Sequence, residues 1–421
     1  MKPSLLVCLL LLHGASSAAQ TPRFEMQEIT RDLSIGYAVI AADINGDGKP
    51  DLVVVDKHRV IWFENPTWKM HTILTGKTRP DNVCIAAWDV DGDGKIDLIL
   101  GADWAPFNTK SGGTLHWLKQ PKNLNQEWEM FPICEEPTVH RVKVIPNLYP
   151  GHKPGIVLAP LMGRDSSREA NWMDGRPVRL LSFPIPKDPQ KGPWKADVIS
   201  EELHVVHNFA FEEVAPNSLR IATASYEGVS LFTRTTKDGS WVKRNFNPGN
   251  QANLKSNRGS SEIALFLLKG GDGANRDGRG KAIIATIEPW HGNQVVVYPP
   301  TASSATQIEN STKNRLILDD HLRWGHAVKF GHLLGADSPF LVAGVRDNPN
   351  KEDKFSEKCG VRIYQPEDAA ATKWRRTILD EGGIAVEDLI VADLDGDGRP
   401  EIIAVGRATK NMRIYWNKTG K

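Results

Sequence analysis

The 421-residue sequence is poor in several features that would narrow its class quickly. Its 52 basic and 51 acidic side chains leave a formal net charge of +1, so no polyelectrolyte partner is implied and nucleic-acid binding has no electrostatic support. Cysteine is scarce: of the 4 present, Cys8 lies in an apolar N-terminal stretch, which leaves Cys84, Cys134 and Cys359. An odd number of cysteines, each in a different part of the chain, excludes a disulfide framework and admits at most a single Cys84–Cys134 bridge. Beyond the first 19 residues no apolar run is long enough to span a bilayer, and no segment identifies a nucleophilic serine or cysteine. Stability must come from packing, in a chain whose 27 prolines and 36 glycines are spread along its whole length.

What is present begins with MKPSLLVCLLLLHGASSAA at residues 1–19. A lysine, the apolar run Leu5–Leu12, and the small residues Ser17 and Ala19 ahead of Gln20 read as a secretory signal. Residues 20–421 are then expected as one domain, secreted or periplasmic.

Three stretches repeat: DINGDGKPDLVVV from Asp43, DVDGDGKIDLILG from Asp89 and DLDGDGRPEIIAV from Asp393. Each begins like an EF-hand loop, with oxygen ligands at positions one, three and five and glycine at six. Position twelve lacks the bidentate glutamate, and an apolar run starts where a helix should continue. The expected calcium ligands are Asp43, Asn45, Asp47 and Asp51; Asp89, Asp91, Asp93 and Asp97; and Asp393, Asp395, Asp397 and Glu401. Such a loop feeds straight into a strand, so calcium there would staple two adjacent strands and not act as a sensor. A fourth loop, GDGANRDGRG at 271–280, puts Gly273 and Lys281 where acids belong and is not expected to bind metal.

Each acidic loop follows a short apolar segment and precedes an aromatic strand: VIWFEN, TLHWLKQ, MRIYWN. Four weaker copies of the unit fill the interval, which makes seven. A fourth strand follows each of the first six units, as in WKMHTIL or KWRRTIL, while its seventh copy, RFEMQEI, stands ahead of the first unit. The pattern predicts an all-β, seven-bladed β-propeller of four-stranded blades over residues 23–417, closed when the N-terminal strand completes the last blade. A pair of β-sandwiches or a β-helix would leave that displaced strand unexplained. The loops resemble the FG-GAP/VCBS repeats of integrin-type propellers, a likeness that covers nearly the whole chain after the signal.

Antiparallel strands sort the loops onto two faces. Opposite the acidic loops, alignment of the inner strands places one residue per blade at the rim of the central channel: Tyr37, Asn82 beside Asp81, His140, His207, Glu262, His326 and Glu387. Loops of the same face add Trp104, Arg164, Tyr226, Glu227, His291, Arg346 and Arg407. Aromatic platforms among polar groups suit a sugar, whose hydroxyls need paired donors and acceptors while its C–H faces stack. Three imidazoles (His140, His207 and His326) are also a donor set for a transition metal, the lesser alternative because their blades are not all adjacent and a wide channel would separate them.

The segments EPWHGNQVVVY, RWGHAVKFG and GRATKNMRIYWN resemble the propeller of aldos-2-ulose dehydratase/isomerase enzymes, which dehydrate 1,5-anhydrofructose and related keto-sugars. The resemblance is confined to the propeller, and the cupin-like domains that follow it in that family are expected to be absent from a chain ending at Lys421. It implies a carbon–oxygen lyase acting by β-elimination, and carries over no individual catalytic residue. The chemistry itself needs a base of near-neutral pKa, an acid for the leaving oxygen and groups to hold the enolate, for which the expected residues are His207 or His140 as base, Tyr37 or His326 as acid, and Arg164, Arg407, His291, Glu262, Glu387 and Trp104 as substrate contacts. The alternative is a non-catalytic, calcium-stabilised propeller that binds a glycan or a partner protein. A hydrolase built on Glu262 and Glu387 is weaker, because those residues lie two blades apart.

Overall fold

The computed structural model describes residues 21–215, 218–234, 239–267, 282–299, 314–334, 339–346, 358–368 and 370–420. The stretch expected as a secretory signal and the 271–280 loop lie outside them. The described residues form 28 strands in seven four-stranded antiparallel sheets, with no α-helix among them.

The first strand is β1 (Phe24–Thr30). Blade 1 is β2 (Ala38–Ala42), β3 (Asp51–Val55), β4 (Arg59–Glu64) and β5 (Lys69–Thr75), and blade 2 is β6 (Cys84–Trp88), β7 (Asp97–Ala102), β8 (Thr114–Lys119) and β9 (Glu129–Glu135). Blade 3 is β10 (Val139–Tyr149), β11 (Lys153–Pro160), β12 (Val178–Pro184) and β13 (Asp197–Leu203). Blade 4 is β14 (Asn208–Ala215), β15 (Ser218–Ser225), β16 (Gly228–Arg234) and β17 (Trp241–Asn247). Blade 5 is β18 (Ile263–Leu267), β19 (Ala282–Glu288), β20 (Gln294–Tyr298) and β21 (Leu316–Asp319). Blade 6 is β22 (Gly325–Gly331), β23 (Phe340–Val345), β24 (Gly360–Pro366) and β25 (Trp374–Glu381). Blade 7 joins β26 (Val386–Ala392), β27 (Glu401–Gly406) and β28 (Met412–Asn417) to β1, with Phe24 opposite Asn417 and Met26 opposite Tyr415. The displaced N-terminal strand therefore closes the ring as expected.

The second strand of each blade is covered on both faces by neighbouring blades, which is why DLVVV, DLILGA and EIIAVG read as near-continuous apolar runs and are buried throughout. Closure is apolar as well as hydrogen-bonded: Val39, Leu52 and Ile61 of blade 1 pack with Ile403, Val405 and Ile414 of blade 7 in one cluster. A polar device recurs between blades. The amide that ends three of the third-strand segments donates to a loop carbonyl of the preceding blade: Asn65 to Leu394 O at 2.8 Å, Gln120 to Ile44 O at 2.9 Å and Asn417 to Leu333 O at 2.8 Å. WFEN, HWLKQ and YWN carried that signal in their last letter.

Cys84 and Cys134 are free thiols. They belong to the inner and outer strands of blade 2, with β7 and β8 between them. At roughly 4.8 Å per strand step the two backbones are about 14 Å apart, twice the reach of a disulfide, so the bridge is ruled out.

Candidate functional site

The carboxylate hairpins lie on one face, as expected, and all three have the same geometry. In each, the first aspartate turns back on its own loop: Asp43 Oδ1 accepts from Gly46 N at 2.8 Å and Oδ2 from Gly48 N at 2.9 Å, and Asp89 and Asp393 repeat the pattern. The wrap needs left-handed backbone at Gly46 (φ 75°) and Gly48 (φ 85°), which explains the G-D-G spacing. The position-nine acids Asp51, Asp97 and Glu401 are buried, and burial pushes their carboxyls up, Glu401 to about 7. Ligand oxygens of Asp89, Asp91 and Asp97, and of Asp393, Asp395 and Glu401, come within 4.8 Å of one another. At position five, Asp93 pairs with Lys95 and Asp397 with Arg399, while Asp47 accepts from Lys49 N.

On the opposite face the rim residues converge. His140 and His326 are the second residues of β10 and β22, and His207 immediately precedes β14. The His140 and His207 ring centroids are 4.7 Å apart, those of His207 and His326 5.1 Å. His291, expected as a substrate contact from a neighbouring loop, stands inside the cluster, 4.8 Å from both His207 and His326. The turn after β19 holds it in the left-handed region (φ 50°), an uncommon conformation for a side chain of this size and one that recurs at functional sites. The expectation that a wide channel would keep His326 away from the other imidazoles is thus overturned.

Tautomers follow from the partners of each ring. Arg141 Nη1 donates to His140 Nδ1 at 2.9 Å, so the His140 proton resides on Nε2. His207 Nδ1 lies 2.8 Å from Glu262 Oε1, and His326 Nδ1 donates to the Glu387 carbonyl at 2.6 Å. Both therefore present an Nε2 lone pair to the centre, where His291 Nε2 is 2.9 Å from His207 Nε2. Burial lowers all four imidazoles, His140, His291 and His326 well below the ordinary value, so they are neutral at pH 7. Burial works to raise Glu262, but His207, Arg141 and Asn208 outweigh it and hold the carboxyl at about 2.

His207, His291 and His326 can each offer a ring nitrogen within 4.8 Å of the other two. Neutral imidazoles whose second nitrogens are tied to a carboxylate and a carbonyl are what a divalent transition metal requires. The metal-competent trio is thus not His140, His207 and His326, because Arg141 blocks the His140 nitrogen that would otherwise donate.

The remaining predicted residues divide. Tyr37 donates to Asp81 at 2.9 Å, and Trp104 stands edge-on to Tyr37 and to His140, at 5.8 Å from each. Arg407 and Arg346 both hold Glu387, at 2.9 and 3.2 Å, and Arg407 covers the Tyr37 ring. Glu262 and Glu387 sit in separate ion-pair networks, which leaves the hydrolase alternative without a free carboxylate pair. Asn82 turns away to Thr78 and the Asp56 carbonyl. Arg164 does not join the cluster: it pairs with Glu136 at 2.7 Å, beside Arg179. Arg141 was missed because it alternates with His140 along one strand, and Trp290 and Trp324, which flank His291 at 4.3 and 5.2 Å, because single loop aromatics carry no period.

These features define a seven-bladed β-propeller with an imidazole cluster at one end of its channel. An FG-GAP-like repeat model matches residues 43–100, and a model of the aldos-2-ulose dehydratase β-propeller domain matches residues 112–301, a span that contains His140, His207, Glu262 and His291. The chain resembles that dehydratase propeller. Aldos-2-ulose dehydratase of Phanerodontia chrysosporium is 26% identical over 287 residues, taking in 63% of this chain and 29% of that protein, so the chain corresponds to less than a third of this relative's length. Among solved structures, BBS1N in complex with ARL6DN, soaked with mercury, superposes with a TM-score of 0.52 at 12% identity, covering 95% of this chain and 97% of that one. A chain of a mitotic checkpoint complex gives 0.50 at 9%, covering 98% of each. These two likenesses show the fold alone.

Proposed function

We propose that the protein is an exported carbohydrate lyase that removes water from a keto-sugar by β-elimination at the imidazole end of the channel. The observation that carries this reading is the packing of four neutral imidazoles from blades 3, 4, 5 and 6, with ring centroids 4.7–5.1 Å apart, under a wall of aromatic side chains. The likeness to a dehydratase propeller supports the reaction class.

His207, His291 and His326 would hold a divalent metal such as zinc. When bound, it supplies Lewis acidity toward the substrate carbonyl. His140 points an Nε2–H into the same space and is placed to donate to the oxygen that gains charge as the enolate forms. Its Arg141 partner makes it a donor and not the base expected from sequence, and the Nε2 lone pair that His326 presents to the centre makes that residue unsuited to be the acid. Proton transfer falls to Asp81. Its Oδ2 is held by Tyr37, while Oδ1 has no hydrogen-bond donor among the described residues and lies 3.9 Å from Lys57 Nζ. Asp81 takes the proton next to the carbonyl and returns it to the departing β-hydroxyl as water, leaving a conjugated enone. Trp104, Trp290 and Trp324 offer stacking surfaces to the sugar.

The test is incubation of the purified protein with 1,5-anhydrofructose and with 3-keto-glycosides while enone absorbance is followed. Enone formation is the expected outcome; tight glycan binding with no enone from any keto-sugar would replace this reading by that of a binding module.

The three carboxylate hairpins are proposed as calcium staples on the far face. Ionised Asp51, Asp97 and Glu401 are costly in their buried positions unless a cation adjoins them, so chelation with EDTA is expected to lower Tm by several degrees and added calcium to restore it. A melting curve indifferent to chelation at low residual calcium would remove the role.

A further inference from the structure

The channel does not end at the imidazoles. Beyond them, toward the carboxylate-hairpin face, lies a cavity of about 320 Å³ walled by inner strands of six blades. Three of its lining side chains are cationic: Arg141 and Lys143 of β10, and Lys329 of β22. One lining carboxylate, Asp388 of β26, opposes them, and its Oδ2 already accepts from Val39 N at 3.2 Å.

This much like charge around one half-enclosed space needs a reason. Neither Lys143 nor Lys329 has a carboxylate within ion-pair distance among the described residues, and Lys143 Nζ stands instead over the Phe209 ring at 5.1 Å. Burial and the charges of Lys329 and Arg141 depress the Lys143 ammonium to about 7, even with Glu262 and Asp388 acting in the opposite sense. Two lysines and an arginine facing one space, against Asp388 in its wall and Glu262 beside Arg141, leave an excess of positive charge in a low-dielectric enclosure. Propeller packing does not ask for it, since blades 1 and 2 line the same cavity with alanine, valine, isoleucine and Cys84.

We propose that this cavity is a binding site for a small tetrahedral oxyanion, a phosphate or sulfate group, held by Lys143, Lys329 and Arg141. Such a group offers several acceptor oxygens at once, which suits two point-charge ammonium groups and a planar guanidinium drawn from two strands of different blades. The volume exceeds that of the inorganic ion and leaves room for a phosphorylated small molecule. Arg141 also donates to His140 Nδ1 at 2.9 Å and lies 3.5 Å from Glu262 Oε1, so it forms a wall common to the anion site and the imidazole cluster. The inference does not depend on the lyase reading, and its test needs no turnover.

The experiment is thermal melting and calorimetric titration of the intact protein with sodium phosphate and with sodium sulfate, against sodium chloride at matched ionic strength. The same titrations are run on Lys143→Met and Lys329→Met. The expected result is a saturable rise of a few degrees with either oxyanion that chloride does not reproduce and that both variants lose. In oxyanion-free buffer the variants are expected to melt at or above the parent, because each removes a buried charge and keeps an apolar stem of similar length, so loss of binding is not loss of fold. A rise matched by chloride, or one retained in both variants, would overturn the proposal, the second by placing the anion elsewhere on the molecule.

Discussion

Alanine at His207 is expected to cost about 10³-fold or more in enone formation while leaving the propeller folded. The side chain is fully buried and contacts each of the other parts of the cluster: His140, His291 and His326 by ring packing, Glu262 by Nδ1. Its removal takes away one of the proposed metal ligands and leaves His291 Nε2 facing a void. Glu262 keeps Arg141 and Asn208, so the loss is not an orphaned charge. His207→Gln separates chemistry from packing, since its amide can still donate toward Glu262 but brings no imidazole nitrogen. That variant is expected to keep its Tm and lose both bound metal and turnover. Undiminished enone production by either variant would detach the chemistry from the cluster.

Arg413→Met is expected to destabilise the whole ring by about 3–5 kcal/mol, the usual cost of removing one partner from a buried ion pair. Arg413 is 8% exposed and bridges two carboxylates: Glu28 of β1 through Nε and Nη2, at 3.0 and 2.8 Å, and Asp380 of β25 through Nη1, at 2.7 Å. One guanidinium therefore ties the N-terminal strand to the last blade and to its neighbour. Burial works to raise Glu28, but Arg413 and Asn411 outweigh it and hold the carboxyl below its ordinary value of 4.5. The sign follows: a carboxyl depressed in the folded state contributes stability that is present above pH about 4.5 and lost as pH falls through the lower folded value. Urea unfolding at pH 7 and below pH 4 measures both effects. The parent should lose this contribution on acidification and Arg413→Met should have little of it left to lose; equal stability of the two proteins at pH 7 would contradict the role given to the bridge.

Much of this architecture was legible because it repeats. Seven returns of one strand pattern, with RFEMQEI displaced to the front, were enough to expect the blade number and the manner of closure, and the acidic hairpins announced themselves by spacing. The rim residues were also readable, since aligned inner strands place Tyr37, His140, His207, Glu262, His326 and Glu387 at equivalent positions. What did not repeat was legible only as residue type and face, not as position in the cluster. His291 comes from a second-to-third-strand turn of blade 5, and its entry into the cluster depends on a left-handed backbone that no periodicity encodes. Arg164 carries the same charge as Arg407 in an equivalent kind of loop, yet Glu136 captures it between blades 2 and 3. The hydrogen-bond partners that decide which imidazole donates and which accepts come from other blades or from the adjoining residue, so roles assigned from residue type alone differ at His140 and His326 from those proposed here.

Closure by β1 also bears on how the molecule is made. The strand that leaves the ribosome first among the described elements pairs with β28, which leaves last, so it must wait unpartnered while every other blade takes shape. Until then β28 presents an open edge with nothing alongside it, and a second nascent copy could lend its own first strand in place of the proper one. Slow emergence of the final blade would lengthen that interval, making synthesis tempo a determinant of how many chains finish as closed monomers.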